Sequence, residues 1–200
     1  MKGSLIIVGF FVLGIIFGLA GWLNVDSFSF DISFIALALL MFCVGIGVGS
    51  DFSALKSLKS QKAGLLLLPL VTIIGTLGGC AVVSLFIPGR SMTDVLAVGS
   101  GFGYYSLSSI FITEYRGAEL GTVALLANIS REIVTLLGAP ILYKLFGPLA
   151  PISSGGATSM DTTLPIITSI SGKEFVVLSI YHGFVVDFSV PFLVTFFCSL

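Results

Sequence analysis

Asp161 stands in the run GGATSMDTTLP, residues 155–165. Gly155 and Gly156 let the backbone approach a neighbour closely. The hydroxyls of Ser159 and Thr162 can replace water around an ion, and Pro165 stops a helix from running straight through. A carboxylate in such an unwound segment can bind an ammonium group, bind Na+ or exchange a proton. Its alternative role is to cap the half-helix that follows. A second polar group interrupts the apolar run ANISREI, residues 127–133, with Asn128, Arg131 and Glu132. Adjacent helical residues point about 100° apart, so Arg131 and Glu132 need not pair, whereas Asn128 and Glu132 share a face. Either this group holds helices together, or Glu132 faces a cationic substrate or a coupling proton. His182 and Asp187, roughly 140° apart around a helix, can each relay protons or simply pack. Finally, GSGFGYYSLSS (Gly99–Ser109) offers backbone amides, hydroxyls such as that of Ser106, and the rings of Tyr104 and Tyr105. It can hold a carboxylate at a half-helix N-terminus while the rings cradle a cation. The alternative is tight helix packing through small residues.

The sequence around these groups places them in a lipid bilayer. Of the 200 residues, 56% are hydrophobic and 10% charged, whereas a soluble domain carries about a quarter charged residues. Lipid must therefore solvate most of the exterior. A net charge of −1 gives no electrostatic case for nucleic acid. Apolar runs at about Leu5–Leu23, Ile32–Gly49 and Gly64–Ile87 match the roughly 20 residues that a membrane helix needs. Lys2 precedes the first of them, as in a signal peptide, but Leu5–Trp22 is long for a signal-peptide core and lacks a clear cleavage site; a retained span is expected. Lys56, Lys59 and Lys62 crowd the second loop, which the positive-inside rule makes cytoplasmic along with the N-terminus. Cys43, Cys80 and Cys198 lie inside apolar runs without metal-ligand spacing and are read as small buried hydrophobes.

Beyond Pro88 the pattern changes. Twice a segment rich in Gly, Ser and Thr (Val95–Thr113, then Ser153–Gly172) precedes an apolar run with a polar centre (Gly121–Tyr143, then Phe175–Phe197). Arg131 lies nine residues before Pro140 and His182 nine before Pro191, a repeat of the kind from which transporters build discontinuous helices meeting at mid-membrane. Counting basic residues does not decide whether the Gly-rich segments span or re-enter. Re-entrance is favoured, because unwound backbone persists at depth only where protein or a watery cavity satisfies it. The expected fold is an all-α polytopic membrane protein with about five full transmembrane helices and two re-entrant or broken-helix segments, forming an inverted repeat. It is taken as a single domain over 1–200, with the N-terminal spans in 1–87 and a transport core in 93–200.

These motifs carry a resemblance. SGFGYYSLSS followed by Thr113-Glu114, NISRE, GGATSMDTTLP and HGF before Pro191, with VGIGVGSD at the end of the second apolar run, is similar to the LysO lysine-exporter family. The likeness runs in order along the chain and covers the C-terminal two-thirds of full-length members. It implies a multi-pass protein of the bacterial inner membrane that exports L-lysine and toxic lysine analogues, and a short companion membrane subunit supplying the remaining spans. It supports Glu132 and Asp161 more than Asn128, where some members place an acid, or Asp187. The expected mechanism is secondary transport, with H+ or Na+ as coupling ion and no further cofactor; no Walker motif is visible for ATP coupling. Rival readings are a passive channel or structural subunit, or an intramembrane protease using Ser106 or Ser108 with His182. The protease reading lacks a GxSG or GxGD motif.

Overall fold

The computed structural model describes Leu13, Ile16, Phe17, Ala20 and residues 63–200. The first expected span apart from those four residues, the second, the lysine-rich second loop, Cys43 and the VGIGVGSD run lie outside the described residues. The helices described here belong to the compact unit Ser53–Leu200, and no strand occurs among the described residues. In chain order they are α1 (Leu68–Ser84, entered by the 3-10 turn Ala63–Leu67), α2 (Met92–Gly99), α3 (Tyr105–Arg116), α4 (Ala118–Phe146), α5 (Ala150–Gly155, continued by the 3-10 turn Gly156–Met160), α6 (Leu164–Ser171) and α7 (Val176–Ser199). Among the described residues, Gly64–Ser84, Ala118–Phe146 and Lys173–Ser199 are long and apolar enough to cross a membrane.

The remaining helices are too short to cross. At 1.5 Å per residue, α2 and α6 reach about 12 Å and α3 about 18 Å, against a hydrocarbon core of about 30 Å. Both Gly-rich segments are hairpins of short helices around an unwound tip, as their composition suggested. α2 begins with a reciprocal cap: the Asp94 amide donates to Ser91 Oγ (3.1 Å) and the Ser91 amide to Asp94 Oδ2 (3.4 Å). Pro165 sits in the first turn of α6, where its missing N–H costs nothing. Pro140 and Pro191 lie inside α4 and α7.

Named contacts fix which way each piece runs. Arg116, at the end of α3, pairs with Asp94 at the start of α2 (3.5 Å) and donates from Nε to the Cys198 carbonyl near the end of α7 (3.1 Å). Arg90, ahead of α2, pairs with Glu119 at the start of α4. The first hairpin therefore enters and leaves at the end of the bundle where α4 begins and α7 finishes. At the opposite end, Leu68 of α1, Ile152 of α5, Ile167 of α6 and Leu178 of α7 form a buried cluster with Leu65, Leu149, Phe175 and Tyr181 packed around it. The second hairpin enters there. Each hairpin is followed by a span leading away from it, and the two hairpin-plus-span units run in opposite directions: an inverted repeat.

Candidate transport site between the hairpin tips

The hairpins meet in the interior. The Ala157 amide donates to the Phe102 carbonyl at 2.9 Å, so the tip of one hairpin satisfies backbone of the other, which lipid would leave unpaired. Two glycines permit this. Gly156 has φ +60° and lies so close to the Phe102 carbonyl that a Cβ would overlap it; Gly103 has φ +98°, and its Cβ would come 3.3 Å from the Gly155 carbonyl oxygen. Phe102 is fully buried and held at φ +46°, a conformation that non-glycine residues adopt only when their surroundings impose it. Around the contact Phe102, Ala157, Ala97, Ala124, Val186 and Val190 form a buried core against which Tyr104 packs.

Three polar side chains of the long helices hold the tips. Asn128 on α4 accepts from the Gly103 amide (2.8 Å) and donates to the Val98 carbonyl (3.3 Å) and the Ala124 carbonyl (2.9 Å). Arg131, a turn further on, donates to the Ser154 carbonyl (2.9 Å), the Ser153 carbonyl (2.9 Å) and Thr76 Oγ1 of α1 (3.2 Å). Its guanidinium lies 5.9 Å from the centre of the Phe102 ring. His182 on α7 is fully buried, with Nδ1 2.9 Å from Ser159 Oγ and Nε2 2.9 Å from Thr72 Oγ1. The two ring nitrogens thus meet a hydroxyl each, and Ser159, also bonded to the Ser179 carbonyl at 3.0 Å, is committed to the same lock. Thr72 and Thr76 were not singled out from the sequence. Their signal is modest: two hydroxyls one helical turn apart in an apolar span.

Other polar groups gather beside the tips without being used to hold them. Asp161 and Thr162 are exposed at the end of the second tip, and an Asp161 carboxylate oxygen accepts from the Thr162 amide. Asp161 does not cap α6 from the N-cap position, which Thr163 occupies. Glu132 and Asp187, both half-buried, lie within electrostatic reach of Asp161. So do Tyr104 and Tyr105, with Asp187 also acting on Tyr104 and Glu132 on Tyr105. Ser106 is exposed in the first turn of α3. The Tyr104 hydroxyl is buried with no hydrogen-bond partner among the described residues, an arrangement that protein interiors rarely leave without a reason. Asp187 joins the cluster through a packing detail. Gly183, one turn earlier on the same face of α7, is pressed against the second tip, where a Cβ would come 2.7 Å from the Met160 amide and 2.9 Å from the Ala157 carbonyl oxygen. Spacing from His182 alone could not show this. Asp161 thus lies within electrostatic reach of a carboxylate on each of two long helices and of two tyrosines of the first hairpin, while Arg131 is spent on carbonyls and a threonine.

Short-helix hairpins entering from opposite ends and meeting between long apolar helices define an all-α membrane protein with discontinuous helices, the architecture in which transporters place their binding sites. The chain belongs to the lysine exporter LysO family, whose match covers residues 8–198, as the ordered motifs had suggested. It is 34% identical to the lysine exporter LysO of Escherichia coli (strain K12) over 196 residues, which is 98% of this chain and 64% of that protein. It is 35% identical over 190 residues to a provisionally named lysine exporter of Haemophilus influenzae, covering 94% of both. The chain therefore spans less than two-thirds of the length of the first relative and nearly all of the second. No solved structure matches it.

Proposed function

We propose that this chain exports L-lysine, and toxic analogues that share its cationic side chain, across the bacterial inner membrane as a secondary carrier. The observation that carries this reading is the set of groups at the hairpin tips: Asp161 lies within electrostatic reach of Glu132, Asp187, Tyr104 and Tyr105, while Arg131 is bonded to carbonyls and a threonine. Such a patch suits a cation. Asp161 takes the substrate ammonium, assisted by Glu132, and the hydroxyls of Thr162 and Ser106 replace part of its water. The tyrosine rings line its path. The Ser106 and Leu107 amides in the first turn of α3, which have no acceptor within the helix, take the α-carboxylate, the Tyr105 amide being bonded to the Gly103 carbonyl.

Lysine carries a net positive charge, so its export opposes an inside-negative potential at about 2.3 kcal/mol per charge and 100 mV. Inward H+ or Na+ would supply that energy if each cation occupied the carboxylates in turn with lysine. The orientation follows from Lys56, Lys59 and Lys62, ahead of α1 in the sequence: by the positive-inside rule the base of the second hairpin, with Lys144 and Lys173, is cytoplasmic in this reading, and Arg90 and Arg116 are outside. A short companion membrane subunit, supplying what the longer relative carries in addition, completes the transporter in this reading.

Lysine efflux from exporter-deficient bacteria expressing the chain, with and without the companion, tests the assignment. Efflux that appears with the chain and collapses when the ion gradients are dissipated supports the carrier. Efflux that ignores those gradients points to a passive channel, and none from any combination at good membrane levels rules out lysine.

A further inference from the structure

Arg131 contacts more of the tip assembly than any sequence pattern around it suggests. Its fork reaches the Ser153 and Ser154 carbonyls, both at 2.9 Å. These belong to the last turn of α5, where carbonyls lack helical partners and carry the negative end of the helix dipole. A third donor reaches Thr76 of α1 (3.2 Å). The cation also lies over the ring of Phe102, the residue whose carbonyl receives the Ala157 amide. One side chain thus ties the second hairpin to the first and both to α1. Among the described residues the ion pairs are Arg90–Glu119 and Arg116–Asp94; Arg131 is in neither. The repeat strengthens the case. His182 stands at the same distance before its proline as Arg131 does before Pro140, and it locks Ser159 of the second tip to Thr72, one turn from Thr76. Each unit uses the equivalent position to anchor that hairpin on α1.

We propose that Arg131 is a positioning residue for transport: it sets the approach of the two hairpin tips, and hence the spacing between Tyr104 and Tyr105 on one and Asp161 on the other, without itself binding the substrate's carboxylate. The proposal rests on the carrier reading above for its functional half. The physical basis is the fork. A planar guanidinium meets two successive carbonyls and a ring face together, whereas a lysine ammonium is a point charge on a flexible stem. Arg131→Lys therefore retains the charge and loses the function.

Hydrogen exchange on the detergent-purified full chain, read beside lysine efflux, separates the alternatives. In Arg131→Gln, amides of residues 100–105 and 155–161 should lose about tenfold or more of their protection, while α7 beyond Val190 keeps its own. Arg131→Lys should behave like Gln. The maximal efflux rate should fall about tenfold or more, while the half-saturating lysine concentration and the preference for lysine over cadaverine, which lacks the carboxylate, stay near wild type. Thr76→Val, which removes one of the three partners, should give a smaller change in the same direction and serves if Arg131→Gln does not accumulate. Unaltered exchange at the tips with lost discrimination against cadaverine would mean that Arg131 contacts substrate, and the proposal fails. Full rescue by Lys, or exchange raised equally in every helix, overturns it too. The exchange result does not depend on lysine. A wild-type chain that moves no lysine with or without the companion, but loses tip protection in Arg131→Gln, sinks the carrier reading and leaves the tip-setting role standing.

Discussion

Arg131 lies inside a helix long and apolar enough to span and Asp161 at the end of the second tip, and the structure treats them differently. Arg131 is surrounded by carbonyls, a hydroxyl and a ring, whereas Asp161 is exposed and bonded to its neighbour's amide. Asp161→Asn keeps the shape and one acceptor but cannot pair with an ammonium. Losing one side of a desolvated charge pair costs about 2–5 kcal/mol, so efflux at limiting lysine should drop roughly 30-fold or more, measured at equal membrane levels of protein. Tyr104→Phe makes a sharper test. Its hydroxyl has no partner among the described residues, so removal should leave the melting temperature unchanged. If the hydroxyl bonds the substrate, the half-saturating lysine concentration should rise up to about tenfold. His182→Ala should do the reverse. It removes a fully buried ring that both Thr72 and Ser159 bond and should destabilise the detergent-purified protein by about 1–3 kcal/mol, visible as a lowered melting temperature.

The helices show why glycine is needed in some places and merely present in others. At Gly156 the backbone has φ +60° and a Cβ would overlap the Phe102 carbonyl. Gly156→Ala must therefore part the tips or strain the chain, at about 1–3 kcal/mol. Gly138, inside α4, would meet nothing nearer than Val134 at 4.0 Å. Gly138→Ala should leave stability unchanged or raise it by about 0.5–1 kcal/mol, because alanine loses less entropy in a helix. Parallel thermal melts of the two variants check the contrast; equal behaviour would mean that the tips do not meet as closely as described. The short helices likewise owe their ends to identifiable residues: the Ser91–Asp94 box begins α2 and Pro165 begins α6.

Over the whole unit, the hairpins predict a labelling pattern. Pro88 and Ala118 flank the first hairpin at one end of the bundle, and Lys144 and Lys173 flank the second at the other; all four positions are exposed. Single cysteines there, in a chain whose own cysteines are replaced by serine, should report two and two. A membrane-impermeant thiol reagent should reach Pro88→Cys and Ala118→Cys from one face and Lys144→Cys and Lys173→Cys from the other. Were the Gly-rich segments full spans, Pro88 and Ala118 would lie on opposite faces.

By itself the sequence determined the class of the protein and the character of its segments. Whether a run is apolar for about 20 residues, or too rich in Gly, Ser and Thr to persist as a lipid-facing helix, is a local property, and the helices at Gly64–Ser84, Ala118–Phe146 and Lys173–Ser199 fell where those runs lie. The repeat spacing of Arg131 and His182 was visible in the same way. Their partners were not. Asn128 and Glu132 share a helix face by spacing, yet Asn128 turns to the first tip and Glu132 lies within reach of Asp161. His182 meets a threonine 110 residues away and Arg131 one 55 residues away. Only the tertiary structure decided which intramembrane polar groups brace the hairpins and which face the patch between them, because that depends on contacts between distant segments, and neither composition nor periodicity encodes them.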